Sequence, residues 1–183
     1  MTERLIRQAG PSDAEWIGGF LRERWHATTI VVHGETINAA ALPALIADSR
    51  QGLATYRVQG EDAELVTLNA VPAGVGTGTA LIGALIARLR TEGCVRLWLT
   101  TTNDNLSALR FYLRRGFRLN QVRSGAIDEA RKLKPSIPSV GAHGIPMHDE
   151  LDLCRILDPG MEQPMPLLPP WSQRDVTFPD IAS

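Results

Sequence analysis

Between positions 79 and 91 apolar residues recur at Leu81, Leu85 and Leu89, with Ile82 and Ile86 beside them. This period predicts an amphipathic helix with one buried face, and Gly93 stops it. Residues 95–101 follow with Leu97 and Leu99 alternating with Trp98, the pattern of a strand covered on both sides. Upstream, 52–58 and 64–71 are β-rich runs around Gln59-Gly60-Glu61-Asp62, which reads as a hairpin. Residues 3–8 predict a first strand. Ser12-Asp13-Ala14-Glu15 reads as a capping box opening a helix that turns Trp16, Phe20 and Leu21 inward. The run 40–47 reads as a second helix, with Pro43 near its first turn. Residues 105–115 predict a helix closed by Gly116, and 117–123 and 150–157 complete the strands. The order β-α-α-β-β-α-β-α-β-loop-β predicts an α/β fold on a mixed sheet.

Proline placement divides the chain. Six of the twelve prolines lie in 158–183, so a domain over 1–157 and a proline-rich C-terminal tail over 158–183 are expected. Leu167, Leu168, Trp171 and Phe178 give that tail apolar anchors, and docking on a second subunit in a homodimer is one arrangement open to it. A second Pro/Gly cluster, 135–146, predicts a long loop.

The chain has 183 residues and a formal charge of −1, which fits one domain with a sizeable core. A charge this close to zero argues against nucleic acid as a partner. Cys94 and Cys154 are sixty residues apart in apolar surroundings and read as buried hydrophobes. No signal-like N-terminal run and no apolar stretch of membrane-spanning length is present, so a cytoplasmic protein without membrane association is expected. His143, His148 and Asp149 have a spacing that fits no standard metal site, and no metal is expected.

The chemistry concentrates in Leu65-Val66-Thr67-Leu68-Asn69-Ala70-Val71-Pro72-Ala73-Gly74-Val75-Gly76-Thr77-Gly78-Thr79. A strand runs into alternating glycines that open a helix, so backbone amides at a positive helix end face outward. A phosphate or pyrophosphate is the natural guest. No Lys or Arg lies between Arg57 and Arg88, so backbone alone would hold it. A P-loop is excluded because Thr79-Ala80 follows Gly78. A dinucleotide fingerprint is excluded because Thr79 or Leu81 occupies its last glycine position. The coenzyme A loop R/Q-x-x-G-x-G/A fits Gly76-Thr77-Gly78, with Ala73 at its first position.

With this segment, Asn105-Leu106-Ser107-Ala108-Leu109-Arg110-Phe111-Tyr112-Leu113-Arg114-Arg115-Gly116-Phe117 resembles the N-x-x-A-x-x-x-Y-x-x-x-G-F helix of the GNAT superfamily of N-acetyltransferases. The resemblance covers about 3–157. It implies the acyl-CoA N-acyltransferase fold, a central sheet with a splayed strand pair and flanking helices, and acetyl-CoA as co-substrate. Backbone around Thr67 and Leu68 would pair with the pantetheine, and amides of Ala73, Gly74, Val75, Gly76, Thr77, Gly78 and Thr79 would hold the pyrophosphate. Ala73 removes one side-chain contact to phosphate, which predicts weakened binding.

Acetyl would pass to an amine by direct attack in a ternary complex. Glu64 resembles the family's carboxylate base, and Tyr112 its general acid toward the leaving thiolate. A main-chain amide near Leu68 would polarise the carbonyl. Asn105 either caps its helix or also touches the coenzyme. Trp25, His26 and His33 lie where the family covers its acceptor cleft. Arg110, Arg114, Arg115 and Arg118 cluster at a helix C-terminus, where the dipole favours cations; contact with the coenzyme 3′-phosphate is the other role open to them. The acceptor is a small-molecule or peptide amine. A non-catalytic acyl-CoA-binding module of the same fold is the rival reading, and Ala73 is its support.

Overall fold

The computed structural model describes residues 5–158, so nearly all of the tail and its docking role lie outside the described residues. The strands are β1 (Ile6–Gln8), β2 (Thr29–Val32), β3 (Glu35–Asn38), β4 (Ala44–Ala47), β5 (Gly52–Gln59), β6 (Asp62–Ala70), β7 (Arg96–Thr102), β8 (Arg118–Arg123) and β9 (Glu150–Ile156). The helices are α1 (Ala14–Trp25), α2 (Thr77–Thr91), α3 (Leu106–Leu113) and α4 (Ala126–Leu133). Seven strands form one sheet in the order β1-β4-β5-β6-β7-β9-β8, and β2 and β3 form a separate hairpin.

Strands β6 and β7 run parallel, and their register covers only Asp62 to Glu64 against Arg96 to Trp98. Beyond that point β6 continues to Ala70 and β7 to Thr102 without pairing, so the sheet forks at its centre. On its other edge β6 pairs with β5 through a bulge: Tyr56 faces Leu65 and Thr55 faces Thr67, which leaves Val66 as the extra residue.

The two faces of the sheet carry different cores. Leu81, Leu85 and Leu89 of α2, all fully buried, pack with Leu65, Leu97, Leu99, Leu153, Tyr112 and Phe117. Each such leucine contributes roughly 1.5–3 kcal/mol on burial, so α2 is firmly anchored where its N-terminus meets the fork. On the opposite face Ile17, Phe20 and Leu21 of α1 cover Ile46 and Leu53. Trp98 and Cys154 form a small cluster on that face, and Cys94 is buried beside α2.

Four expectations change. The run 40–47 is not a helix: a 3-10 turn at Ala39–Ala41 leads into β4, which lies between β1 and β5. All four β4 residues are buried, and a short apolar run covered on both faces has no period that separates strand from helix. Ser12 and Glu15 form no capping box at α1. Asp13 accepts from Gly10 N–H at 2.9 Å and from Arg7 Nη1–H and Nη2–H, each at 2.7 Å. The β2–β3 hairpin and α4 were not anticipated. The hairpin turns on His33 and Gly34, both at positive φ, the two-residue turn that suits strand twist. Helix α4 buries Ala126, Ile127 and Ala130.

Candidate active site

The loop after β6 enters α2 with Gly74 at φ +79° and Gly76, the N-cap, at φ +90°. A Cβ on either would meet open space, so these glycines are required by backbone conformation rather than by crowding. Gly78 differs. It is helical, and a Cβ there would stand 3.2 Å from Cζ of Phe111, so it brings α3 close to α2. The first bond within α2 runs from Ala80 N–H to Gly76 C=O, which leaves the earlier amides of Gly78 and Thr79 directed out of the helix end. With the helix dipole they form a site for anionic oxygens.

These amides border a cavity of about 360 Å³ that begins at Leu68, beside the fork, and runs along the loop to α3. Ala73, Gly74, Gly76, Thr77, Gly78 and Thr79 line one wall; Ala108, Phe111, Tyr112 and Arg115 line the other. No carboxylate is among the lining residues. Tyr112 is 8% exposed and its ring meets Phe111 and Phe117 edge-on at 5.1 and 5.4 Å. Burial pushes its phenol well above the ordinary tyrosine value, with Arg115 opposing weakly, so Tyr112 stays protonated.

Other sequence-predicted residues stand outside this cavity. Val75 is exposed, and Asn105 caps α3 by accepting from Ala108 N–H at 3.1 Å. The Thr67 hydroxyl is bonded to Thr55 at 2.7 Å, and the residue is buried.

Glu64 lies at the base of the fork beside Trp98, with its neighbours Ala63 and Leu65 in the α2-side core. Alternation along the strand therefore sends its side chain to the α1 side, away from Tyr112. It is 1% exposed and paired with the Arg57 guanidinium, which also meets Glu35 at 3.2 Å. Desolvation raises its carboxyl above the ordinary range despite Arg57.

On the same side the structure assembles a buried polar cluster that sequence reasoning did not find. His33 stacks on Trp98 at 5.5 Å and 7°. Its Nε2 lies 2.8 Å from Asp152 Oδ1 and 2.9 Å from Thr100 Oγ1. Its backbone N–H donates to the Glu150 carboxylate, and Arg123 Nε donates to Asp152 Oδ2 at 2.8 Å. The His-Gly turn between two β-branched runs was the available signal for the hairpin. The partners, 117 and 119 residues away, left none. Trp25 Nε1–H donates to Asn69 Oδ1 at 2.7 Å, which ties the end of α1 to β6. His148 pairs with Asp128 at 2.9 Å. No helix among the described residues is long and apolar enough to cross a membrane.

Residues 52–117, which include the fork, the glycine loop and α3, match the acetyltransferase (GNAT) family. The protein YxbD of Bacillus subtilis (strain 168) is 34% identical over 145 residues, covering 77% of this chain and 91% of YxbD. YdhI of the same organism is 37% identical over 107 residues, covering 58% of this chain and 67% of YdhI. A GNAT family acetyltransferase from Elizabethkingia anophelis, solved with acetyl-CoA bound, shares the fold at a TM-score of 0.60 and 15% identity, over 85% of this chain and 99% of that one. A forked sheet, a glycine loop opening α2, and a sequence that matches across both make this chain a member of the GNAT family of acetyltransferases.

Proposed function

We propose that this protein transfers the acetyl group of acetyl-CoA to an amine by direct attack in a ternary complex. The observation that carries this reading is one continuous cavity. It starts at Leu68 on the part of β6 that has left β7, passes Tyr112 and ends on the amides of α2. Acetyl-CoA fits its chemistry: a narrow apolar wall of Leu68, Ala108 and Phe111 suits the pantetheine arm, and the amide-lined end suits the diphosphate. The volume falls in the range of small-molecule sites.

The chain's own groups then divide the work. The bulge at Val66 frees backbone on β6 next to Leu68, where an amide can donate to the thioester oxygen as charge develops. The amine approaches from the α1 side, where Glu64 sits at the base of the fork. A carboxyl whose affinity for protons is raised is a better match for taking a proton near neutral pH than an ordinary glutamate. The new C–N bond forms, the C–S bond breaks, and the departing thiolate takes a proton from Tyr112. Because that phenol holds its proton tightly, donation must accompany C–S cleavage rather than precede it.

The test is release of free CoA thiol from acetyl-CoA with and without a panel of small amines and N-terminal peptides. Amine-dependent thiol release supports the reading. Tight acetyl-CoA binding with no release under any amine would leave the fold as a binding module.

A further inference from the structure

Arg115 closes one flank of α3: its guanidinium lies 3.5 Å from the centre of the Phe111 ring and bonds the Thr79 hydroxyl. The other flank is open. Leu106 and Leu113 stand there two turns apart, with the partly buried Leu109 between them. Strand β8 continues this surface. Leu119 pairs with Leu153 and Val122 with Leu151, so both side chains lie on the α3 face of the sheet. Because α3 runs back from the Thr102 end of the sheet and β8 returns toward it, Leu113 stands level with Leu119 and Leu106 with Val122. Leu106, Leu113, Leu119 and Val122 are each between 45% and 50% exposed. Single exposed leucines are ordinary, but four apolar side chains at matched levels make one ledge. β8 is also the last strand of its sheet, so its outer backbone edge has no partner strand among the described residues. At the bulge of β8, Asn120 Nδ2 is buried and meets no acceptor among the described residues. Arg110 and Arg118 at the rim are exposed and carry no ion pair among the described residues.

We infer that this ledge holds the chain's own tail, residues 159–183, through Leu167, Leu168 and Trp171. The tail's composition matches the surface. Beside those apolar anchors, Glu162, Asp175 and Asp180 against Arg174 give it an acidic excess to set opposite Arg110 and Arg118. It also starts in the right place. The described chain ends at Asp158, two residues past Ile156, the end of β9, and β9 is the strand beside β8. The nine residues from Asp158 to Leu167 can span about 30 Å and the six of β8 about 20 Å, so the anchors reach any point of the ledge. Pro164, Pro166, Pro169 and Pro170 lack the N–H that a strand ladder needs, so the seat is made by side chains and carbonyl oxygens rather than by an added strand. A carbonyl from such a segment is the acceptor that Asn120 Nδ2 lacks. A second copy fits worse. Two β8 strands paired antiparallel about Asn120 and Gln121 would set Arg118 of one against Arg123 of the other, like charges directly opposite. Because α3 also carries Tyr112, a tail on its outer flank braces the cavity wall from behind.

Disulfide trapping in the full chain tests this. Ser172→Cys, beside the Trp171 anchor, is combined with Leu119→Cys on the ledge or, for comparison, with Leu5→Cys at the far edge of the sheet. Leu119 and Leu5 are both exposed, so neither change disturbs the core, and the native Cys94 and Cys154 are buried. Under mild oxidation of dilute protein, mass spectrometry of the monomer should find the 119–172 link forming about tenfold faster, or more, than the 5–172 link. Comparable rates for the two pairs, or no link in either, overturn the seat. A 119–172 link found only between chains gives the ledge to a second copy and overturns it as well. Thermal unfolding of full-length variants is the second measurement. Leu119→Ser and Trp171→Ser should each lower the melting temperature by about 2–4 °C, and the double variant should lose no more than the larger single shift. No shift from Trp171→Ser, or shifts that add in the double variant, show that the two side chains do not meet and overturn the seat.

Discussion

Glu64 on β6 and Trp98 on β7 are the last residues in register before the two strands separate. The cavity proposed for acetyl-CoA lies on the α2 side of that pair, and the Glu64 side chain lies on the side of the cluster around His33. In its proposed role of base, Glu64 works only when ionised. Its raised proton affinity means that activity is lost, as pH falls, while the pH is still above the ordinary carboxylate range. Glu64→Gln should remove that acid limb from kcat/KM and lower the plateau by about 10². Retention of the limb in Glu64→Gln assigns it to another group.

Glu150 predicts a stability effect of definite sign. It is 2% exposed, and desolvation raises its proton affinity against the opposing pull of His33; Asp152 and Arg123 also face it. A carboxyl whose folded pKa exceeds its unfolded value makes the folded state bind more protons, so stability falls as pH rises between the two values. Glu150→Gln keeps an acceptor for the His33 N–H and removes the charge. Its melting temperature should exceed the wild type's at pH 8, and the gap should close at pH 4. A constant difference across pH would show that hydrogen bonding, not charge, dominates at this position.

The two glycines of the loop should separate ligand binding from packing. Gly76→Val places a branched residue at φ +90°, a conformation costing roughly 1–3 kcal/mol, at an open position on the ligand side. Acetyl-CoA affinity should fall at least tenfold with little change in far-ultraviolet circular dichroism. Gly78→Val instead drives a side chain into Phe111 and should cost roughly 1–3 kcal/mol of stability in thermal unfolding. A loss of acetyl-CoA affinity in Gly78→Val as large as that in Gly76→Val would contradict this division.

What was legible in the sequence was what is local. The period of Leu81, Leu85 and Leu89, the glycines that open α2, and Asn105 and Gly116 bracketing α3 each predict an element from neighbours within a few residues. The run 40–47 failed because its alanines suit a helix in isolation, while the slot between β1 and β5 makes it a strand. The Phe111–Gly78 contact, the stacking of Arg115 and the link from His33 to Asp152 join elements far apart in the chain. No period or motif within either partner marks such a contact.

Tyr112→Phe keeps the ring contacts with Phe111 and Phe117 and removes only the hydroxyl. The rate of transfer should fall by about 10² while acetyl-CoA affinity barely moves. Since burial holds the phenol's proton above the ordinary tyrosine value, no alkaline limb from Tyr112 should appear below about pH 10 in the wild type. Loss of binding together with rate would make Tyr112 a packing residue.

The claim on which the account rests is that acetyl-CoA occupies the cavity running from the fork to the amides of α2. Titration calorimetry of the wild type and Gly76→Val with acetyl-CoA, ATP and NAD measures it directly. The account predicts one acetyl-CoA per chain, weakened at least tenfold by Gly76→Val, and no comparable binding of ATP or NAD. Binding of ATP or NAD in place of acetyl-CoA, or acetyl-CoA binding untouched by Gly76→Val, would contradict it.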